Sequence, residues 1–224
     1  MIKVLELFSG LESISNAFRR GGGCECYTID WDEKFPSDLH IDISKLQIID
    51  LPPEWRHPDI IFLGTDCTTY SVAAISKHRR KNEMTGNLDP ISEKARRADE
   101  MNRHCVELIK ELNPKIQIWE NPVGAFRKMD FIQGLIRNTT TYCQYGFTYR
   151  KATDFISNID LHLKPPCKNG SPCHEKAPRG ARTGLQAITD PALKAIYPPR
   201  LCDHIVNECK KYLQEVKHEH RRQT

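Results

Sequence analysis

Apolar side chains in the first two thirds of the chain fall alternately into short runs and helix-spaced stripes. Ile2, Val4, Leu5, Leu7 and Phe8 form a run that ends at Ser9-Gly10, and residues 2–8 are predicted to be a buried strand. Leu11, Ile14, Ala17 and Phe18 then recur at helical spacing until Gly21-Gly22-Gly23 halts them. Cys24 to Ile29 predicts a second strand, closed by Asp30-Trp31-Asp32, and Asp42-Ile43 follows a shorter candidate element. After the Leu51-Pro52-Pro53 loop, Asp59 to Gly64 predicts a strand, Ala95 to Leu112 a helix that stops before Pro114, and Lys115 to Trp119 another strand. Strand and helix in repetition, punctuated by Gly and Pro, predict an α/β fold with a doubly wound, mostly parallel sheet.

The pattern changes near residue 160. Pro165-Pro166, Gly170, Pro172, Pro178, Gly180 and Gly184 crowd a stretch with little periodicity, and helical spacing returns over Asp190 to Glu215. The expected organisation is a core over 1–160, a short excursion over 161–189, and a closing helix with a basic tail over 190–224.

Composition narrows the class. The 224 residues are 39% hydrophobic and 28% charged, which excludes collagen-like, coiled-coil and wholly disordered chains. A domain of this length buries roughly 70% of its unfolded surface and needs no disulfides. No apolar run approaches the ~20 residues of a membrane-spanning helix. The amino-terminal stretch carries Glu6 and no small-residue cleavage site, so a soluble cytoplasmic protein is expected. Thirty-three Lys and Arg against 29 Asp and Glu leave a net charge of +4, which permits a polyanionic partner without requiring one. The basic residues cluster, at Lys77-His78-Arg79-Arg80-Lys81, at Arg96-Arg97, at Arg179 and Arg182, and from Lys217 to Arg222.

Nine scattered cysteines read as reduced thiols. Cys167, Cys173 and His174 lie together in the excursion, with Cys143 and Cys202 elsewhere. They are zinc-capable donors, but the spacing is no standard CxxC pair, so ordinary loop thiols are the simpler reading and no metal is assigned.

In open parallel sheets, ligands lie beyond the carboxyl ends of the strands. Those ends carry Phe8-Ser9-Gly10, Asp30-Trp31, Asp42-Ile43, Gly64-Thr65-Asp66-Cys67 and Glu120-Asn121-Pro122. An acid after the second strand suits ribose hydroxyls, and Gly10 lets backbone approach a ligand. Leu11 and Glu12 follow Gly10, so this is not the GxGxxG fingerprint, and the cofactor need not contain a pyrophosphate.

In order and spacing these segments resemble the motifs of the cytosine-C5 DNA methyltransferases, and in compactness the small members encoded by bacteriophages. Phe8-Ser9-Gly10, with Leu11 behind it, resembles the family's first motif, which holds S-adenosyl-L-methionine. Asp30 matches its ribose acid, Trp31 the residue packed on adenine, and Asp42-Ile43 the pair at the adenine edge. Gly64 falls in the same cofactor-binding set. Cys67 with Ser71 resembles the nucleophile motif, Glu120-Asn121-Pro122 the motif that grips the target base, and Arg150 the Arg-containing motif that follows. The resemblance covers residues ~1–160. It implies a class I methyltransferase sheet, double-stranded DNA as substrate, and contacts to nucleic acid from Ser71, Lys77, Arg79, Arg80, Asn121, Arg179 and Arg182. In the family, the segment matching the Lys77–Lys81 run is a mobile loop that closes over DNA. The phage likeness implies a place in restriction-modification, as protection of phage DNA from restriction.

The chemistry calls for these residue types. Cytosine C5 is a poor nucleophile until a thiolate adds to C6, and Cys67 is the candidate. Glu120 would bind the N3/N4 edge, Arg150 would orient the base, and the base must first leave the stack. Two features depart from the family. Asp66 stands where the nucleophile is usually preceded by Pro, and a carboxylate there is expected to raise the thiol's pKa. Only about 30 residues, Leu161 to Thr189, occupy the place of a target-recognition domain, so the target is short or a partner protein supplies recognition. The alternatives are a tRNA cytosine-C5 methyltransferase, a catalytically degenerate DNA-binding relative, and a related C5 modification using another donor.

Overall fold

The computed structural model describes residues 1–176 and 194–223, of which 220–223 are helix backbone alone. The strands are β1 (Ile2–Leu7), β2 (Cys24–Asp30), β3 (Leu39–His40), β4 (Ile60–Gly64), β5 (Arg79–Lys81), β6 (Leu88–Pro90), β7 (Ile116–Pro122), β8 (Ile136–Thr141) and β9 (Ala152–Ser157). The helices are α1 (Ser13–Gly21), α2 (Ile75–His78), α3 (Glu93–Leu112) and α4 (Pro199–Gln223). Seven strands form one sheet in the order β3-β2-β1-β4-β7-β9-β8, and β5 and β6 form a separate two-stranded hairpin. Pairing is parallel from β3 through β7, while β9 runs antiparallel to both neighbours. The expected doubly wound α/β sheet is therefore present, with its topological switch between β1 and β4.

Side-chain alternation divides the core. Leu5, Leu7, Ile61, Leu63 and Trp119 face α3, whose Cys105, Leu108, Ile109 and Leu112 meet them. Val4, Ile60, Phe62, Ile116 and Ile118 face the other way, toward Ile14 and Phe18 of α1 and Leu201, Ile205, Val206 and Cys209 of α4. Period-2 alternation on strands that are apolar on both sides is what a sheet covered on both faces requires. The helices cap as their sequences dictate. Ser92 Oγ accepts the Ala95 N–H at the start of α3, and Asn113 takes the left-handed conformation at its end. Lys210 Nζ of α4 donates to the Gly21 and Gly22 carbonyls, 2.8 Å each, closing the carboxyl end of α1.

Three details differ from the pattern. Residues 196–198 interrupt the helical stretch and α4 begins at Pro199, whose fixed φ and missing N–H suit a first helical position, while 190–193 lie outside the described residues. The basic run builds α2 and the β5–β6 hairpin. β8 and β9 carry no apolar run because most of their buried positions are polar, with only Phe155 and Ile156 apolar among them. Asp154 of β9 is paired with Arg127 at 2.6 and 2.8 Å and accepts the Thr139 hydroxyl at 2.7 Å.

Candidate active site

The carboxyl ends of β1, β2, β4 and β7 meet at one edge of the sheet, and the loops after them carry most of the predicted residues. β1 delivers Phe8 and Gly10, both with positive φ (59° and 48°), so the chain turns sharply across the strand tips. The Gly10 N–H donates to Asp30 Oδ2 at 2.9 Å, and Asp30 Oδ1 accepts the Asp32 N–H at 3.0 Å. Two of the roughly four lone-pair sites of a carboxylate are thus filled, and the rest suit hydroxyl donors. Beside it Trp31 is 68% exposed, a large ring with its surface open, while Ile43 is buried in the core. Asp42 caps a short turn through the Ser44 N–H (3.0 Å) and hydroxyl (2.8 Å), and these bonds hold its carboxyl below the ordinary range. Leu11 is partly exposed near by in sequence. An open aromatic ring, a buried acid and a tight glycine turn form a donor set that fits a nucleoside.

Gly64 ends β4 under the Tyr197 hydroxyl, where a Cβ would stand 2.8 Å from that oxygen. The nucleophile-motif loop follows. The Cys67 carbonyl accepts the Tyr70 and Ser71 N–H groups at 3.1 and 2.9 Å, folding residues 67–71 into a helical turn. Asp66 turns its carboxylate to the Thr68 N–H at 2.9 Å and to the Thr68 hydroxyl, away from a direct bond with the thiol. The loop is fastened from beneath. Arg79, buried, makes a fork with Asp99 at 2.6 and 3.0 Å, donates to the Thr69 carbonyl at 3.0 Å and lies 4.1 Å over the Tyr70 ring. Tyr70 in turn donates to Asp99 at 2.7 Å and accepts from Asn102 at 2.9 Å. Arg79 is therefore turned inward and not toward a phosphate, because Asp99 on α3 offers it a buried partner; Lys77 and Arg80 of the same run are exposed.

β7 brings Glu120 and Asn121 alongside. Asn121 is buried and donates to the Thr65 carbonyl and hydroxyl at 3.3 and 3.2 Å, which ties the ends of β7 and β4 together. Ala125 N–H donates to the Tyr70 carbonyl at 2.7 Å, and Ser71 pairs with Gly124. Any side chain at Gly124 would overlap the Tyr70 carbonyl oxygen, so glycine is what lets the two motif loops touch. Glu120 is buried, with Oε2 accepting the Tyr197 hydroxyl at 3.1 Å and Oε1 without a hydrogen-bond partner. Burial pushes the Glu120 carboxyl up, opposed by Lys151, whose Nζ stands 3.9 Å from Oε1, and by the Tyr197 bond. Burial also pushes the Cys67 thiol up, then the charge of Glu120, while Lys151 pulls it down; Asp66 adds a smaller upward push. The expected effect of Asp66 is present but is outweighed by burial and by Glu120.

Lys151 is the cation that sequence reasoning missed. Its neighbour Arg150 donates Nε to the Cys167 carbonyl at 3.2 Å, on the excursion side. Adjacent side chains of an extended segment point oppositely, so one residue decides which cation meets Glu120. Lys151 Nζ is held by the Lys194 carbonyl at 2.9 Å and lies 4.8 Å over the Tyr142 ring. Tyr197 was equally illegible, since it reaches the site from beyond the excursion. Arg179 and Arg182 lie outside the described residues.

No family model matches the chain. It is 28% identical over 196 residues to the "Probable DNA (cytosine-5)-methyltransferase" of Frog virus 3 (isolate Goorha), spanning 84% of this chain and 86% of that protein. The resemblance carried by the motifs is thus matched by a relative along most of the chain. Among solved structures, the "putative DNA modification methyltransferase encoded within prophage" of E. coli aligns with a TM-score of 0.48 and 16% identity, over 75% of this chain and 51% of that one. A DNMT2 variant of Spodoptera frugiperda aligns with a TM-score of 0.47 and 16% identity, over 75% of this chain and 56% of that one. The chain spans about half the length of both solved structures. Among the described residues no helix is long and apolar enough to cross a membrane.

Proposed function

We propose that this chain, a relative of a viral cytosine-C5 DNA methyltransferase, methylates C5 of a cytosine flipped out of duplex DNA, with Cys67 as the nucleophile. The observation that carries the reading is the junction of two loops. At the sheet's carboxyl edge a half-buried thiol feels the charge of a buried carboxyl with one unpartnered oxygen, and of the buried lysine beside that carboxyl. S-adenosyl-L-methionine, when bound, supplies an electrophilic methyl group. Asp30, Trp31 and the Phe8–Gly10 turn are the residues that would hold it.

Each residue then has a task. Glu120, whose carboxyl burial pushes up, takes a proton as the base enters and donates it to cytosine N3 as charge builds in the ring. The same protonation removes the negative charge that holds up the Cys67 thiol, and Lys151 favours the thiolate. The Cys67 sulfur would add to C6, and the electron pair of the C5–C6 double bond would move to C5, which would take the methyl group as the methyl–sulfur bond of the donor breaks and leaves a neutral thioether. Loss of the C5 proton to a base restores the double bond and expels Cys67 as thiolate. The Arg79–Asp99–Tyr70 network keeps the loop carrying Cys67 in place, so its orientation is set before substrate arrives. Ser71 and the exposed Lys77 and Arg80 border this loop and are the candidates for backbone contact with DNA.

Duplex DNA containing 5-fluorocytosine tests this. Fluorine at C5 blocks the final elimination, so with S-adenosyl-L-methionine the protein is expected to form a denaturation-resistant adduct that is absent in Cys67→Ala. Methyl transfer by the variant is expected to fall at least ~10³-fold. No adduct on DNA, with cofactor and DNA still bound, would overturn the reading. An adduct on tRNA alone would move the substrate to RNA.

A further inference from the structure

The described part of the excursion after β9 is tied to the core by single hydrogen bonds, such as Lys164 N–H to the Tyr145 hydroxyl at 2.9 Å and Cys167 N–H to the Thr141 hydroxyl at 3.1 Å. Residues 162–176 form no helix or strand, and most are exposed or half-exposed. Yet four soft donors from three segments converge there. Cys143 sits in the turn Tyr142–Tyr145 after β8, Cys167 follows Pro165-Pro166, and Cys173 and His174 are adjacent. Their ligand atoms all lie within 4.8 Å of one another, and this is the group of that kind among the described residues. We propose that Cys143, Cys167, Cys173 and His174 bind one zinc ion, which fastens the excursion to the catalytic core.

The distances support four ligands around one point. Tetrahedral zinc with Zn–S near 2.3 Å and Zn–N near 2.0–2.1 Å places its sulfurs about 3.8 Å apart and sulfur and nitrogen about 3.6 Å apart. Here Cys143 Sγ lies 3.7 Å from Cys173 Sγ and 3.3 Å from Cys167 Sγ. His174 Nδ1 lies 3.6 Å from Cys167 Sγ, 3.6 Å from Cys173 Sγ and 3.9 Å from Cys143 Sγ. A disulfide needs sulfurs about 2.05 Å apart and would engage only two of the four. Three thiolates and an imidazole in a tetrahedron select zinc over hard cations, and four protein ligands leave no open position, so the role is structural.

The surroundings are those of a thiolate site. The Thr141 hydroxyl donates to Cys167 Sγ at 3.4 Å while accepting the Cys167 N–H at 3.1 Å, and Gln144 Nε2 points at Cys173 Sγ from 3.8 Å. Such outer donors stabilise metal-bound sulfur. One contact has to give. Metal on Nδ1 leaves the proton on Nε2, so the Gly170 N–H, now 3.3 Å from Nε2, must draw back on loading. Gly170 lies in a turn with positive φ, where a small movement is cheap. Arg150 holds the Cys167 carbonyl, so the metal would also fix the residue next to Lys151. Sequence spacing hid the site because Cys143 lies 24 residues before Cys167.

The test is zinc content by plasma mass spectrometry and cobalt(II) titration of the full chain, purified in reductant, in four forms. Wild type and Cys24→Ser are expected to hold one zinc per chain and to give the thiolate-to-cobalt charge-transfer band of a tetrahedral site. Cys173→Ser and His174→Ala replace residues at or near the surface, which spares the core, and circular dichroism checks their folding. Both are expected to lose zinc affinity by more than ~100-fold. The proposal is overturned if wild type takes up no zinc from excess metal, if it binds no more tightly than the two ligand variants, or if freshly reduced protein re-forms a Cys143–Cys167 disulfide in the presence of zinc. None of these readouts depends on methyl transfer.

Discussion

Cys67 and the Cys143 cluster put the same functional group in opposite settings. Cys67 stands apart from other thiols, on a turn locked by Arg79, Tyr70 and Gly124, and burial together with Glu120 keeps its proton on. The cluster gathers three sulfurs and an imidazole within 4.8 Å on turns and loops outside the α-helices and strands. A sulfur meant to attack must stay unliganded and ionise only when its pocket changes charge. Sulfurs meant to hold a metal are useful only in company, and they supply the rigidity their loops lack.

The contrast can be broken at Glu120. Glu120→Gln is expected to lower methyl transfer by ~10²–10⁴-fold, because the amide donates to N3 poorly and no longer exchanges a proton. In the free protein the same change removes the charge that raises the Cys67 pKa, so alkylation of Cys67 by iodoacetamide should become faster at neutral pH. Lower turnover with higher thiol reactivity separates a chemical role for Glu120 from a merely structural one; slower alkylation would refute it.

Arg79→Ala attacks the brace. It strands the Asp99 carboxylate and is expected to destabilise the fold by about 3–5 kcal/mol in urea denaturation. Arg80→Ala, one residue away and exposed, is expected to stay within about 0.5 kcal/mol of wild type. Equal effects would show that the ion pair does not hold the loop.

Glu6 supplies a control for burial of a carboxyl that does not act on Cys67. It accepts the Ser15 N–H at 2.9 Å, and burial raises its pKa from 4.5 to about 7. The folded state therefore prefers the protonated acid. Its contribution is full below pH 4.5 and is lost as pH rises toward 7, a change of up to about 3 kcal/mol. Glu6→Gln should flatten that part of the stability–pH curve without altering Cys67 alkylation. The smallest effect is expected from Asp66→Asn, which should lower the Cys67 pKa less than Glu120→Gln does in a pH titration of alkylation rate.

Much of this arrangement can be read along the chain. Each parallel strand of the buried sheet center is a local apolar run, and each strand end carries its own polar punctuation, so the tips of β1, β2, β4 and β7 were visible together with Asp30, Cys67 and Glu120. β8 and β9 were not, because polar residues fill most of their buried positions, Asp154 being held by Thr139 and Arg127, and this leaves no hydrophobic period. The basic run was visible as charge alone. Which of its members turns inward depends on Asp99 of α3, 20 residues on.

Local periodicity and residue type along the chain set the α/β class, the order of the motifs and the candidates for the reacting groups. The tertiary structure alone decided which groups meet. Lys151 in place of Arg150 facing Glu120, Tyr197 above Gly64, Gly124 against Tyr70 and Cys143 among the excursion's donors are all contacts between segments distant in the chain. Burial and distance set their charge states and partners, and neither quantity exists until the chain has folded.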